Sequence, residues 1–352
     1  MNTEFLNALT AEVTAGNVRR IPHKTLPLSI YNYTEKCQFG KCFNEISSMC
    51  RGLVVHDDGT IIARPFKKFF NFEELGANKI DFAPEKVKEI WTKEDGSLIV
   101  CFYYADQWIC ITRGSWESPQ ALAAPALLTD KFREINNYTG YTFCFELTGP
   151  ANFNVTRGYE KDALILLGVI HTPNGVEASH DTLISFANTF GFNAPKSWHW
   201  DGDFYNYIKS INDPNFEGVV LINEDGNRCK IKTETYVVLH KTLTGITPSR
   251  IFELWEIKRS NGFSLAIEGI PDEFFAEINK GIEECDGRWI KYRYKVRAEW
   301  LSTMDLIASG MSRKDIAIGY PALRHVLTVA YSKADPEGVA LIEFCKAGGV
   351  VE

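Results

Sequence analysis

The chain of 352 residues lacks several features that usually give a first direction. No apolar run approaches the ~20 residues that span a bilayer. The longest, Ala163–Ile170 (ALILLGVI), has the length of a strand. The opening MNTEFLNALTAEV has no basic region followed by an apolar core, so no signal peptide is expected. The nine cysteines are scattered and form no Cys-x-x-Cys pair, which argues against a zinc site and a disulfide framework. Free buried thiols in a reducing cytosol are the expectation. Basic residues are not in excess: the net charge is −7, so bulk charge does not hold nucleic acid, and a polyanion must be met by local Lys and Arg clusters. There is no Gly-x-x-x-x-Gly-Lys-Ser/Thr phosphate loop, and none of the seven histidines has metal-ligand spacing. His199, within Trp198-His199-Trp200, reads as packing. What remains is ordinary globular material, 45% hydrophobic, 24% charged and 13% aromatic. That excludes a mostly disordered or low-complexity chain and is enough for about two domains.

The first 245 residues read as mixed α and β. Gly52–His56 and Thr60–Ala63 flank Asp57-Asp58-Gly59, a hairpin signal. Ser97–Tyr104 and Gln107–Thr112 flank Ala105-Asp106, and Gly218–Ile222 and Arg228–Lys232 flank a turn of four residues. Tyr141–Leu147 and Ala163–Ile170 are further strands. Antiparallel pairing should therefore dominate. Helices are expected near Thr3–Val13, Pro119–Leu128 and Phe204–Ile211. After Thr244 the texture becomes helical, over Ile251–Ile257, Asp272–Glu284, Trp289–Ile307, Ala322–Tyr331 and Gly338–Cys345, with breakers at Gly262, Gly269, Gly310, Gly319 and Pro321. The fold class is α+β for residues 1–245, with a small all-helical domain over 246–352.

Four segments carry chemistry. In Thr92-Lys93-Glu94-Asp95-Gly96-Ser97 a lysine stands beside a glycine turn. A lysine amine attacks phosphorus once burial and nearby cations lower its pKa from about 10.4. A solvated turn lysine would read the same. Phe145-Glu146-Leu147 and Phe216-Glu217-Gly218 each set one acid on an apolar strand, where it could orient a hydrated metal, bind a ribose hydroxyl, or pair with a surface lysine. Lys230-Ile231-Lys232 projects two amines from one strand face, a repulsion of about 0.2–1 kcal/mol that a triphosphate would relieve and that solvent would also tolerate. Arg51, the run Arg64 to Asn71, and Arg113 add cations among aromatics, suited to phosphate or to a snorkelling surface.

Lys-x-Asp-Gly at 93, Phe-Glu at 145, Glu-Gly-Val-Val at 217 and Lys-x-Lys at 230 stand in the order and spacing of motifs I, III, IV and V of the covalent nucleotidyltransferases. With Cys50-Arg51-Gly52, Arg64-Pro65 through Lys68-Phe69-Phe70-Asn71, Tyr31-Asn32-Tyr33 and Tyr236, the chain resembles the bacteriophage RNA ligase 1 family over about residues 20–245. It departs at Arg113, where the family has a Lys before Gly-Ser. The resemblance implies an ATP-dependent RNA ligase acting through lysyl-AMP on Lys93 and an RNA adenylate. It implies that Lys230 and Lys232 neutralise the α-phosphate, and that Tyr31, Arg51, Lys68, Phe70, Gly96 and Arg113 line the ATP site. It implies that Glu146 meets the ribose or a metal-bound water, and that Asp95 and Glu217 help to hold hydrated Mg²⁺. The partner would be RNA with 5′-phosphate and 3′-hydroxyl ends, with repair of a cleaved tRNA as the family's suggestion. A monomer in the cytoplasm, that of the host for a phage protein, is expected, with no membrane partner. The helical tail would handle RNA: Trp289–Arg297 mixes cations with aromatics, although residues 245–352 hold 14 basic and 16 acidic side chains. The alternatives are a DNA ligase, a capping-type nucleotidyltransferase, or a nucleotide- or RNA-end-binding protein without catalysis.

Overall fold

Alternation of period two, punctuated by tight turns, builds most of the first part of the chain. The computed structural model describes residues 2–133, 138–150, 155, 159–259, 270, 274–327 and 336–347. The chain divides into two compact units, Met1–Thr244 and Gly245–Glu352.

The first unit begins with β1 (Val18–Pro22), β2 (Leu28–Tyr33), β3 (Arg51–His56) and β4 (Ile61–Ala63), a sheet of order β1-β2-β3-β4. There follow β5 (Phe70–Asn71), β6 (Val87–Lys93), β7 (Ser97–Tyr104), β8 (Gln107–Thr112), β9 (Tyr141–Thr148), β10 (Ala163–His171), β11 (Gly218–Asn223) and β12 (Arg228–Lys232). They form two more four-stranded sheets, β10-β9-β7-β8 and β5-β12-β11-β6. Pairing is antiparallel except between β12 and β5. The three hairpins of the sequence analysis form as expected. The β7–β8 turn sets Ala105 and Asp106 at φ 50° and 59°, the left-handed pair that a two-residue hairpin needs. The helices are α1 (Asn2–Thr14), α2 (Glu35–Phe39), α3 (Glu45–Met49), α4 (Pro119–Leu127), α5 (Asp130–Arg133), α6 (His180–Phe190), α7 (Phe204–Ser210) and α8 (Glu234–Thr244). Ser118 and Ser179 cap α4 and α6 by accepting from the backbone N–H three residues on.

Strand β7 is apolar on both sides and buries both. Ile99 and Cys101 join Phe143, Phe145, Leu164, Leu166 and Phe132. Val100 and Phe102 join Leu28, Ile30, Val54 and Ala63 of the first sheet. The middle sheet is thus covered twice. Phe132 is fully buried, edge-on to Phe143 at 4.9 Å and Phe192 at 5.3 Å. A ring so placed contributes about 3–5 kcal/mol. The third sheet packs Val219, Leu221 and Ile231 against Phe204 and Ile208 of α7. Because Ile231 faces that core, Lys230 and Lys232 stand on the opposite face of β12.

Strands β1 and β2 and helices α2, α3, α6 and α8 were not marked by pattern. β2 is buried at all six positions, so it shows no alternation.

The second unit is helical: α9 (Pro248–Arg259), α10 (Phe275–Ala308), α11 (Arg313–Gly319) and α12 (Pro336–Lys346). The two helices expected over Asp272–Glu284 and Trp289–Ile307 are one helix of 34 residues, α10. The helix expected over Ala322–Tyr331 starts with a 3₁₀ turn at Pro321–Leu323, and its end lies outside the described residues, as do Gly262 and Gly269. Trp255, Trp289 and Phe344 form its aromatic core. Among the described residues no helix is long and apolar enough to cross a membrane.

Candidate active site

Three neighbouring strands of the third sheet bring their chemistry to one end. Gly218 pairs with Lys93 on one side and with Lys232 on the other, so a row Lys232–Gly218–Lys93 crosses β12, β11 and β6. Gly218 sits at φ 147°, and a Cβ there would lie 2.0 Å from the Ile231 carbonyl. Glu217 precedes it, with a side chain only 2% exposed. Its Oε2 accepts from Lys93 Nζ at 2.9 Å, and its Oε1 accepts from Lys232 Nζ at 2.9 Å. One carboxylate thus bridges two amines, Lys232 buried and Lys93 half-buried. Lys230, also buried, pairs across the sheet with Asn71 and Val220.

The Lys93 turn leads straight from β6 of the third sheet into β7 of the middle one. Gly96 is required by contact: a Cβ there would lie 2.2 Å from the Leu147 carbonyl. Glu146, on β9 opposite Leu98, is buried. Burial pushes its carboxyl up to about 7; Lys93 and Arg51 pull it down, while Glu217 and Asp95 push it further up. Asp95 is wholly buried and accepts at both oxygens, from Tyr236 Oη at 3.0 Å and from Val155 N–H at 2.8 Å. That favours holding the turn over binding an ion directly. Lys232 Nζ lies 4.9 Å from the centre of the Tyr236 ring.

A second group combines cations with rings. Lys68 Nζ is 8% exposed as a residue and stands over Tyr33, Phe43 and Phe70 at 5.4, 5.8 and 5.2 Å. Arg113 Nη1 donates to Tyr33 Oη at 2.8 Å. The Arg51 guanidinium lies 5.4 Å from the Phe69 ring, and its Nη1 is buried without a hydrogen-bond partner. An orphaned buried donor costs free energy that an anionic oxygen would recover, so the residues fit a phosphate-bearing ligand. Gly52, at φ 93°, lets β3 approach the Arg113 backbone.

The structure therefore gathers Lys93, Asp95, Gly96, Glu146, Glu217 and Lys232, with Arg51 felt at Glu146, and sets Lys68 and Arg113 at Tyr33, with Phe70 against Lys68. It does not place Tyr31 with them. Tyr31 is buried among Leu9, Val18, Cys50, Leu53 and Val55. Tyr31 and Tyr33 lie two residues apart on one face of β2, and it is Tyr33, at the end of the strand, that reaches Lys68 and Arg113. Phe43, Glu94 and Tyr159 also touch the site and carried no motif signal. Lys67 and Lys68 do not lie on a strand, yet Lys67 is exposed and Lys68 buried. Among the described residues no group of three or more His, Cys, Asp or Glu could hold a metal ion. A divalent cation here would depend on waters and the ligand's own phosphates.

A family model described as RNA ligase, of T4 type, matches residues 49–236. An RNA ligase of Rhodothermus phage RM378 is 26% identical over 317 residues, covering 70% of this chain and 70% of that one. Among solved structures, a protein from Aquifex aeolicus assigned as an ATP-dependent DNA ligase superposes over 97% of this chain and 80% of its own, with a TM-score of 0.52 at 15% identity. An archaeal ATP-dependent RNA ligase covers 79% of this chain and 75% of its own, with a TM-score of 0.50 at 15% identity. Those two likenesses speak to the fold alone. The matched stretch spans more than half of the chain and contains Arg51, Lys93, Glu146, Glu217 and the two lysines of β12, and on that match the chain belongs to the T4-type RNA ligase 1 family.

Proposed function

We propose that this RNA ligase uses ATP and joins 5′-phosphate to 3′-hydroxyl RNA ends through an adenylate on Lys93. Lys93 Nζ attacks the α-phosphorus; a P–N bond forms as the bond to pyrophosphate breaks. The amine must shed its proton, and Glu217 Oε2, 2.9 Å away, is the acceptor at hand. Lys230 and Lys232 meet the charge that gathers on the α-phosphate, and Arg51, Lys68 and Arg113 the outer phosphates. AMP then passes to the RNA 5′-phosphate, and a 3′-hydroxyl displaces it. The protein's part is positioning and electrostatics. Mg²⁺, held through water near Asp95, Glu146 and Glu217, would supply further neutralisation of the phosphates. The observation that carries this reading is the Lys232–Glu217–Lys93 chain of contacts.

The tail, residues 246–352, is the proposed RNA module, with a cleaved tRNA as the proposed substrate. Residues 287–298 of α10 hold Arg288, Lys291, Arg293, Lys295 and Arg297 and no acid, and Tyr294 is exposed there.

Incubation with ATP labelled at the α-phosphate should leave the label on the protein, in a bond labile to acid and stable to base. Lys93→Ala should remove it. Label retained in that variant rules out Lys93 as the nucleophile. Labelling by GTP in place of ATP would indicate a capping enzyme, and no labelling a binding protein.

A further inference from the structure

The turn that carries Lys93 lies between two sheets. Glu94, Asp95 and Gly96 carry the chain from one sheet to the next and pair with no strand. Their restraint comes from elsewhere in the chain. Val155 and Tyr236 occupy the Asp95 carboxylate, as described. A phenol adds a further restraint. Tyr159 Oη donates to Glu94 Oε2 at 3.0 Å and accepts the Asp95 N–H at 3.2 Å. A hydroxyl has one proton to donate and lone pairs to accept, and here both capacities are used on consecutive residues of the turn. Burial and the Glu94 charge push the Tyr159 phenol well up, so the donor stays protonated at any working pH. Glu94 is not remote from the chemistry: its carboxylate interacts electrostatically with Lys93 and Glu217, and Lys93 Nζ donates to the Glu94 carbonyl at 3.3 Å.

We propose that Tyr159 is a positioning residue for Lys93: by holding Glu94 and the Asp95 N–H together, its hydroxyl fixes the direction from which Nζ meets the α-phosphate. The proposal rests on the reading of Lys93 as the adenylylated nucleophile. A side chain that merely tied the Tyr159 segment to the turn would have the same contacts, but would support every step equally. The steps separate the two. Sealing of an RNA whose 5′ end already carries AMP does not use the Lys93 amine as a nucleophile, whereas self-adenylylation does.

Tyr159→Phe keeps the ring and removes only the hydroxyl. Self-adenylylation at saturating ATP should slow about tenfold, the equivalent of one hydrogen bond, with the half-saturating ATP concentration unchanged. Sealing of the pre-adenylylated RNA should change less than about twofold, since the bond in question is not remade in that step. Combining Tyr159→Phe with Glu94→Ala should cost less than the product of the two single losses, because both break the same contact. Thermal melts of each variant check the fold. Equal losses in self-adenylylation and in sealing, or independent losses in the double variant, would overturn the positioning role, as would an unchanged rate in Tyr159→Phe. A full-length protein that fails to label with ATP would instead remove the Lys93 reading and the latch with it.

Discussion

Lys232 and Lys67 make a matched pair of lysines for testing the phosphate site. Lys232 is 6% exposed and bridged to Glu217, while Lys67 is in solvent beside the buried Lys68. Lys232→Ala should slow self-adenylylation by about 10²–10³, the usual cost of losing a group that meets developing charge. Lys67→Ala should lose no more than a few-fold; equal, mild effects would put the α-phosphate elsewhere. Glu146 gives a pH signature. With its carboxyl raised from the ordinary 4.5 to about 7, the folded chain holds this proton more tightly than the unfolded chain does. Stability from this group is therefore present below pH 4.5 and is lost as pH rises toward 7. Glu146→Gln, which carries no charge, should be more stable than the parent by about 2–3 kcal/mol at pH 8 and no more stable at pH 4. Thermal unfolding of the unliganded protein at both values reads this, and a gain independent of pH would contradict it. At this scale the charged residues of the site were legible, because their types and spacing carry the chemistry. Tyr33 was not, because both tyrosines share one face of β2, and which of them reaches Lys68 and Arg113 is set by tertiary placement along the strand that no local pattern announces.

Among the elements, α10 joins two segments expected as separate helices, over Asp272–Glu284 and Trp289–Ile307. Gly287 lies between them, and glycine costs roughly 1 kcal/mol in a helix interior. The helix runs on because Ile278, Ile282, Cys285, Trp289 and Val296 form one buried stripe across that point, and packing outweighs propensity. A Cβ at Gly287 meets nothing within 4 Å, whereas one at Gly281 would lie 2.6 Å from Ile251 Cγ2, where α9 approaches. Gly287→Ala should therefore stabilise the protein by about 0.5–1 kcal/mol, and Gly281→Ala should destabilise it by about 1–3 kcal/mol. Denaturant melts following tryptophan fluorescence distinguish the two, and the same sign for both would show that the close approach is misplaced. The hairpins were legible for the opposite reason. Their turn residues suit the backbone, as at Gly59 and Gly226, which sit at φ 90° and 76°, so local and tertiary preferences point the same way.

At the scale of the whole molecule, each residue of the proposed nucleotide site lies before Thr244. A chain ending at Thr244 should keep ATP-dependent self-adenylylation and lose efficient sealing of its preferred RNA. Circular dichroism establishes that the truncate is folded, and a folded truncate that seals as well as the full chain would exclude the tail as the substrate module. Net charge gave no hint of the proposed division of labour, since the molecule is acidic overall and concentrates its cations locally. The row Lys232–Gly218–Lys93 has a consequence of another kind. A strand that zips up one residue out of step turns its side chains to the other face. A molecule with β11 misaligned in that way would turn Val219 and Leu221 from their core, set a side chain where only Gly218 fits, and separate Glu217 from both lysines. Only the correct form would take up AMP. The moles of AMP retained per mole of chain after refolding would then count correctly aligned molecules, which makes the first chemical step a proofreading assay of the sheet itself.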